Sequence, residues 1–134
     1  MMFMVQLEFG KRIVSAPDTK DYGSLSVYCQ LRAVCDFNFE VKKTCFTPVP
    51  KVDSVVITLR PRLDSSVTDK QLQFTETVCR VAFTQRRKKL RNGVKPFMGQ
   101  LKEENCPIDL NRRAETLTPG DFVNLASFLY QERF

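Results

Sequence analysis

The spacing of apolar and polar residues changes along this chain, and each change marks a different predicted element. Residues 1–14 carry apolar side chains at helical spacing between polar ones, which predicts a helix that ends before Pro17. A second helix is predicted to begin near Ser24 and to continue through Leu31. The first third of the chain is therefore expected to start with two helices.

The spacing of the apolar residues then shortens to a period of two. Residues 35–41 alternate between apolar and polar side chains, which predicts a half-buried strand. Its predicted inward side chains are Phe37, Phe39 and Val41. Residues 54–59 are rich in β-branched residues and predict a second, more buried strand, while two prolines between the strands exclude a helix there. Because two strands alone are marginally stable in water, the pattern suggests the tail of a larger sheet whose earlier strands are absent from this chain.

Helical spacing returns after a short polar stretch. Residues 63–70 are polar and rich in serine, which is typical of a linker, and residues 71–134 are predicted to form a small all-α domain. Its first helical pattern begins at Leu72, continues through a basic run and ends at Gly99. Within that pattern, Leu90 is expected to face the core.

The last helix has a clear start signal. Thr118 suits the N-cap, Pro119 the first helical position and Asp121 the third. The apolar stripe of this helix consists of Phe122, Leu125, Ala126 and Leu129. These features predict a helix that packs one face against the rest of its domain.

Positive charge is concentrated in the predicted helical domain. Residues 70–134 carry 12 Lys/Arg against 7 Asp/Glu, compared with 9 against 8 in residues 1–69. Such density favours an RNA or DNA surface, since guanidinium groups bind phosphate bidentately. A run of charges is more often only a solvated helix face, and that alternative stays open. The predicted phosphate contacts are Arg86, Arg87, Lys88, Lys89 and Arg91, with Arg87 and Arg91 on one helix face.

The composition excludes several classes of site. The chain has no histidine, which removes His-based general bases, Ser-His and Cys-His nucleophile pairs and most zinc sites. Its five cysteines are odd in number and lack CxxC spacing, so they are predicted to be reduced thiols of a cytoplasmic protein. No apolar run is long enough for a membrane span, and no membrane partner is expected.

One motif carries a resemblance to a known family. Residues 46–54 are Phe-Thr-Pro-Val-Pro-Lys-Val-Asp-Ser, which resembles the F-x-P-x-P-K-V-x-S loop of the rRNA adenine N6,N6-dimethyltransferases, the KsgA family. Further segments resemble the family in the same order: Gln6-x-Glu8-x-x-x-Arg12 with Asp21-Tyr-Gly-x-Leu-Ser-Val27, then Ala82 to Arg91, then Arg113-Ala-Glu-x-Leu117. The chain departs at Ser24, where the family usually has arginine, so a contact to RNA or to a neighbouring acid is expected to be missing.

The resemblance implies a role for each residue of the loop. Phe46 would stack the target adenine, and Pro48 and Pro50 would stiffen the backbone. Lys51 and Ser54 would position the loop or contact phosphate. The spacing alone is equally compatible with a Phe46 that fills the core between the strands, and it is the resemblance that favours the substrate role.

The resemblance also implies what the chain lacks. The family binds S-adenosylmethionine through a Gly-rich strand-to-helix turn, an acidic residue and an Asn-Leu-Pro-Tyr-type motif, whereas this sequence has no G-x-G and no Asn-x-Pro-Tyr. The expected fold is therefore an α/β remnant plus a small all-α C-terminal domain. Residues 1–62 would supply the last helices and two strands of a Rossmann-like methyltransferase sheet, and residues 71–134 would bind rRNA. The chain alone is predicted not to methylate RNA.

Three functional hypotheses follow. The leading one is the substrate-binding half of an rRNA adenine dimethyltransferase, with small-subunit rRNA or a pre-ribosomal subunit as partner and a monomer as the complete enzyme. The second is a non-catalytic nucleic-acid-binding protein, since mitochondrial relatives of this family act as transcription factors. The third is a basic helical protein-interaction module, whose binding would lack the steep salt dependence of phosphate contacts.

Overall fold

Residues 1–62, 67–85 and 87–130 are described by the computed structural model of this protein. The chain divides into a first unit, Met1–Ala16 with Lys20–Leu63, and a second unit, Pro17–Thr19 with Asp64–Phe134. The elements of the first are β1 (Met2–Gln6), α1 (Leu7–Val14), α2 (Ser24–Arg32), β2 (Ala33–Val41) and β3 (Ser54–Pro61). Those of the second are α3 (Asp69–Thr84), α4 (Leu90–Met98) and α5 (Pro119–Tyr130). None of the helices in these described residues has both the length and the apolar content that crossing a lipid bilayer requires.

The N-terminal segment begins as a strand, so the prediction of one helix over residues 1–14 is wrong. β1 pairs antiparallel with β3, from Met2 opposite Thr58 to Gln6 opposite Ser54, and α1 starts at the next residue. Pairing with β3 satisfies the backbone of this apolar run, and its side chains then alternate between the two faces of the sheet. The apparent helical spacing therefore spans a strand and a helix.

β3 lies between the other two strands, in the order β1-β3-β2, and both pairings are antiparallel. In β2 the register shifts between Phe37, which lies opposite Ile57, and Phe39, which lies opposite Val56. Adjacent residues of β3 face opposite sides, so this β-bulge places the two phenylalanines on opposite faces. The prediction that Phe37, Phe39 and Val41 all face inward is wrong, and the two phenylalanines are 38% and 54% exposed.

One face of the sheet carries the core of the first unit. Ile13 of α1 packs with Val55 and Ile57 of β3, and all three side chains are buried. Gly10 allows α1 to approach this face closely, since an added Cβ would overlap Cγ1 of Val55 and lie 3.3 Å from Cγ2 of Val5. A residue with any side chain at this position would push the helix away from the sheet.

The other face, here called the open face, is exposed within the described residues. Met2 and Met4 of β1 lie on it opposite Thr58 and Val56, and they are 65% and 54% exposed. Phe39 shares this face. The second edge of β1 also has no strand partner among the described residues. Proteins usually cover an apolar face and a strand edge of this kind.

In the second unit α3 packs against α5. The predicted start of α5 is confirmed, because the amide of Asp121 donates to Oγ1 of Thr118 and the amide of Thr118 donates to Oδ2 of Asp121, both at 3.0 Å. The predicted apolar stripe is confirmed too, since its four side chains are buried: Phe122, Leu125, Ala126 and Leu129.

The helix predicted to run through the basic residues is interrupted. α3 ends at Thr84, and α4 begins at Leu90 after a turn. Like charges repel when they are stacked along a helix, and the turn interrupts that stacking. The prediction that Leu90 faces the core is confirmed, because its side chain is buried. Gly99 ends α4 with φ 54°, a left-handed conformation that glycine adopts without strain, so the predicted stop is confirmed.

The predicted linker, residues 63–70, lies partly outside the described residues, and α3 begins at Asp69. The assignment of residues 1–62 to a methyltransferase domain and of residues 71–134 to an rRNA-binding domain stays a prediction. All five cysteines lie within the described residues and are free thiols.

Candidate functional site

The loop between β2 and β3, residues 42–53 and here called the proline loop, carries most of the predicted site. It starts with a 3₁₀ turn, Lys43–Cys45. The amide of Cys45 donates to the carbonyl of Lys42 at 2.9 Å, and the amide of Phe46 donates to the carbonyl of Lys43 at 3.3 Å. These two hydrogen bonds fix the backbone of Phe46 relative to the end of β2.

Asp53 connects the two ends of the proline loop. Its Oδ1 accepts a hydrogen bond from the amide of Lys43 at 2.7 Å, and its Oδ2 lies 3.9 Å from Nζ of Lys42. Its carbonyl oxygen accepts a hydrogen bond from the amide of Leu7 at 3.0 Å, at the start of α1. Because hydrogen bonds to ionised groups are stronger than neutral ones, the turn that leads to Phe46 is held firmly to the base of the loop.

The five predicted loop residues lie close together in sequence and share this loop or its end. Phe46 is half-buried, and Ser54 is half-buried as the first residue of β3. The exposed members are Pro48, Pro50 and Lys51, and the Thr47–Pro48 peptide bond is cis. Two exposed apolar side chains in the same loop, Val49 and Val52, were not singled out from the sequence. Val49 lies between two prolines and Val52 between Lys51 and Asp53, and their apolar side chains in such a loop are the signal that marks them.

Three of the predicted basic residues form the turn between α3 and α4, here called the basic turn: Arg87, Lys88 and Lys89. All three are exposed, and none makes an ion pair within the described part of the chain. The amide of Lys88 donates to the carbonyl of Gln85 at 2.9 Å, which closes the turn. Arg86 lies outside the described residues. The prediction that Arg87 and Arg91 share a helix face is wrong, because only Arg91 is helical.

The backbone donors at the start of α4 are already used. The amide of Leu90 donates to the carbonyl of Arg112 at 2.8 Å, and the amide of Arg91 donates to the carbonyl of Leu110 at 3.1 Å. A helix N-terminus binds anions through such amides. Phosphate at this point would therefore be bound by the side chains of the basic turn and not by the helix end.

Arg91 differs from the residues of the basic turn. Its Nε donates to Oε1 of Glu103 at 2.8 Å, and its Nη1 donates to Oδ1 of Asn111 at 2.9 Å. The hydrogen bond and the opposite charge raise the pKa of Arg91 and lower the pKa of Glu103. Arg91 thus joins the first turn of α4 to the segment that follows it, in addition to any contact it makes with RNA.

The described residues do not fit a site for S-adenosylmethionine. The five glycines are dispersed: Gly10 and Gly93 lie inside helices, Gly23 is the N-cap of α2, Gly99 ends a helix and Gly120 lies in the first turn of another. The turn from β1 into α1 passes from Gln6 to Leu7 without a glycine, although a Gly-rich turn is what would let a backbone approach the cofactor closely. Within the same residues, no group of His, Cys, Asp and Glu side chains could hold a metal ion.

Comparison with known proteins identifies the family. A model of the family described as ribosomal RNA adenine dimethylase matches residues 1–131. Ribosomal RNA small subunit methyltransferase A of Francisella tularensis subsp. novicida is 42% identical over 129 residues, which are 95% of this chain and 49% of that protein. The protein of the same name from strain SCHU S4 of subsp. tularensis is 41% identical over the same shares. The chain spans about half the length of the curated relatives it matches.

Solved structures agree in fold. The crystal structure of a dimethyladenosine transferase from Plasmodium falciparum superposes with a TM-score of 0.80 at 20% identity, covering 99% of this chain and 57% of that one. The crystal structure of the 23S rRNA methyltransferase ErmE superposes with a TM-score of 0.62 at 23% identity, covering 97% and 54%. Because the family model matches almost the whole length of this chain, the chain belongs to the ribosomal RNA adenine dimethylase family.

Proposed function

We propose that this chain is the substrate-binding half of an rRNA adenine N6,N6-dimethyltransferase that acts on small-subunit rRNA. Membership of the family and the names of the Francisella relatives support the reaction and the substrate. The observation that carries the proposal is the proline loop, whose backbone Asp53 holds in place on the amino side of Phe46. The complete enzyme would act in the cytoplasm as a monomer bound to a pre-ribosomal small subunit.

The chemistry of the substrate explains why a stiff loop is useful. The exocyclic amine of adenine is a poor nucleophile, because its lone pair is delocalised into the ring. An enzyme must take the base out of its stack and hold the amine in one position. Phe46 would stack the flipped base, a contact of about 1–3 kcal/mol. Pro48 and Pro50 would reduce the loss of backbone entropy on binding, while Lys51 and Ser54 would orient the loop or contact phosphate.

The open face of the sheet supports a second part of the proposal. Residues 1–62 would be the end of a larger methyltransferase sheet, whose missing part covers Met2, Met4 and Phe39 and adds a strand to the free edge of β1. The relatives have a further half that this chain does not span. S-adenosylmethionine would be bound by that half and would supply the methyl group, since the described residues here do not fit it.

The basic turn would bind the rRNA backbone. Arg87, Lys88 and Lys89 are exposed, close in sequence and without ion pairs among the described residues, so their charge is available to phosphate. Arg86 and Arg91 complete the set that the sequence predicts. Removal of any one of these charges should weaken the binding of RNAs of different nucleotide sequence by a similar factor, because phosphate contacts carry no sequence information.

A methylation assay tests the whole proposal. The purified chain, small-subunit rRNA and S-adenosylmethionine should give no methylated adenine. Addition of the separately produced first half of the Francisella relative should restore methylation, and Phe46→Ala should abolish the restored activity. Methylation by the chain alone, or restored activity that Phe46→Ala leaves unchanged, would contradict the proposal.

A non-catalytic nucleic-acid-binding protein is the second candidate, because the described residues hold an exposed basic turn without a cofactor site. It predicts salt-dependent RNA binding and no methylation even when the first half of a relative is supplied. A protein-interaction module, the third hypothesis, predicts binding that salt weakens little. Titration of the chain with RNA at several salt concentrations separates these last two.

A further inference from the structure

The proline loop begins with two lysines whose ammonium groups have different surroundings. Nζ of Lys42 lies 3.2 Å from Oε2 of Glu40 and 3.9 Å from Oδ2 of Asp53, so two carboxylates neutralise its charge. Lys43 is next in sequence and contacts Asp53 only through its backbone amide. Its ammonium group is exposed and has no ion pair within the described residues.

Lys51 brings a second such charge to the base of the loop. It is exposed, and it too makes no ion pair within the part of the chain that the structure describes. It lies two residues before Asp53, whose carboxylate contacts the backbone of Lys43 at 2.7 Å. Asp53 therefore links the backbone of Lys43 to the end of the loop that carries Lys51, although the two lysines are eight positions apart in sequence.

Within the described residues, the carboxylate of Asp53 forms an ion pair with Lys42 and not with Lys43 or Lys51. Its Oδ1 accepts a hydrogen bond from the amide of Lys43, and its Oδ2 lies 3.9 Å from Nζ of Lys42. An unneutralised lysine is a compact point charge that suits a phosphate oxygen. The amide of Phe46 donates to the carbonyl of Lys43, so the backbone of Lys43 lies within one turn of the residue whose ring would stack the base.

We propose that Lys43 and Lys51 form a phosphate-binding pair at the base of the proline loop, which holds the RNA backbone beside the base that Phe46 stacks. This inference rests on the proposed function and extends it with Lys43, for which the sequence motif gives no role. A flipped base must be presented by its own backbone, and phosphate contacts fix the register of a nucleic acid while contacts to the base select it. Lys42, with its charge already neutralised, takes no part in binding.

The experiment measures binding of a single-stranded RNA that contains one 2-aminopurine, whose fluorescence reports stacking. The unaltered chain is compared with Lys43→Ala and Lys51→Ala, and Lys42→Ala is the matched control because it removes the same charge from the same loop. Each lost phosphate contact should lower the magnitude of the slope of log K against log salt by about 0.7. Lys43→Ala and Lys51→Ala should show this decrease and bind several-fold more weakly, whereas Lys42→Ala and the charge-preserving Lys43→Arg should keep the original slope.

The outcomes separate this inference from the function on which it rests. Equal effects of Lys42→Ala and Lys43→Ala, or an unchanged slope in Lys43→Ala, would overturn the proposed phosphate pair. The proposed function would still stand in that case, provided that the unaltered chain binds RNA in a salt-dependent way. Absence of RNA binding by the unaltered chain at low salt would overturn both. Since Lys43 and Lys51 are exposed, far-UV circular dichroism of the variants should match that of the unaltered chain.

Discussion

Oδ1 of Asp53 accepts a hydrogen bond from the amide of Lys43 at 2.7 Å, between residues ten apart in the sequence. The next hydrogen bond in the series joins the carbonyl of Lys43 to the amide of Phe46. The backbone position of Phe46 therefore depends in part on the carboxylate of Asp53.

Substitution Asp53→Ala should loosen the proline loop. It removes a charge-assisted hydrogen bond worth about 1.5–3 kcal/mol when buried, and the 28% exposure of this side chain lowers the expected loss to about 1 kcal/mol. Hydrogen exchange at the amides of Lys43 and Phe46 should become faster. The fluorescence of 2-aminopurine in a bound RNA should be quenched less, because the base stacks less well. Asp36→Ala is the control, because it breaks an exposed pair with Arg60 at 3.2 Å and should leave both amides unchanged. Unchanged exchange in Asp53→Ala would show that the loop is held by other contacts.

Substitution Gly10→Ala should destabilise the first unit by about 1–3 kcal/mol, the usual cost of an overpacked core. The new methyl group would overlap Cγ1 of Val55 on the buried face of the sheet. Urea unfolding measures the change. Gly23→Ala is the matched control, since an added Cβ there has no neighbour within 4 Å. Equal stability of the two variants would mean that α1 shifts at no cost.

The pair between Arg91 and Glu103 predicts a specific loss of stability in acid. Arg91 lowers the pKa of Glu103 in the folded chain below its ordinary value of 4.5. A carboxyl group with a lowered folded-state pKa stabilises the fold fully above its unfolded pKa, and this contribution is lost as the pH falls through the folded pKa. Thermal unfolding between about pH 6 and about pH 3 should therefore depend less on pH in Glu103→Gln than in the unaltered chain.

Arg91→Ala tests the same pair from the other side. It should remove the same pH-dependent component of the stability. The double variant should show no larger loss of pH dependence than either single variant. If the two substitutions act additively on the pH dependence, the lowered pKa of Glu103 has a different cause. In RNA titrations, Arg87→Ala should reduce the salt dependence more than Arg91→Ala, because Glu103 already neutralises Arg91.

Cysteine alkylation offers a way to detect RNA on the proline loop. Cys45 is exposed next to Phe46, whereas burial raises the pKa of Cys79 to about 12. Iodoacetamide at about pH 8 should modify Cys45 first and leave Cys79 unmodified until the chain unfolds. Small-subunit rRNA should slow the modification of Cys45. Cys106 of the second unit is half-buried, and its raised pKa makes it the slower internal reference. Mass spectrometry of the modified peptides measures the rates. Equal modification of Cys45 with and without rRNA would contradict RNA binding at the proline loop.

Elements with strong local signals were predictable from the sequence. Thr118 and Asp121 specify the start of α5 through their own side chains, and the apolar stripe behind them needs only helical geometry to become buried. The strand over residues 54–59 was predictable for a similar reason, because its β-branched residues suit a central strand on either face.

Elements that depend on distant partners were not predictable in the same way. β1 is a strand because β3, about fifty residues later, offers it a partner, and no local feature of the first six residues contains that information. The turn after Thr84 likewise depends on carbonyls of Leu110 and Arg112 that bind the first amides of α4. The candidate site shows the same division, since the motif marks Phe46 but not the hydrogen bond that the amide of Phe46 donates to the carbonyl of Lys43.

The β-bulge in β2 allows one strand to be probed from both sides. Phe37 lies opposite Ile57 on the side of α1 and α2, whereas Phe39 lies opposite Val56 on the side that the first unit leaves uncovered. A label at residue 37 would therefore report on the face of the sheet that α1 and α2 share, and a label at residue 39 would report any polypeptide that covers the open face. Two positions separated by a single asparagine can thus distinguish folding of the first unit from its assembly with another polypeptide.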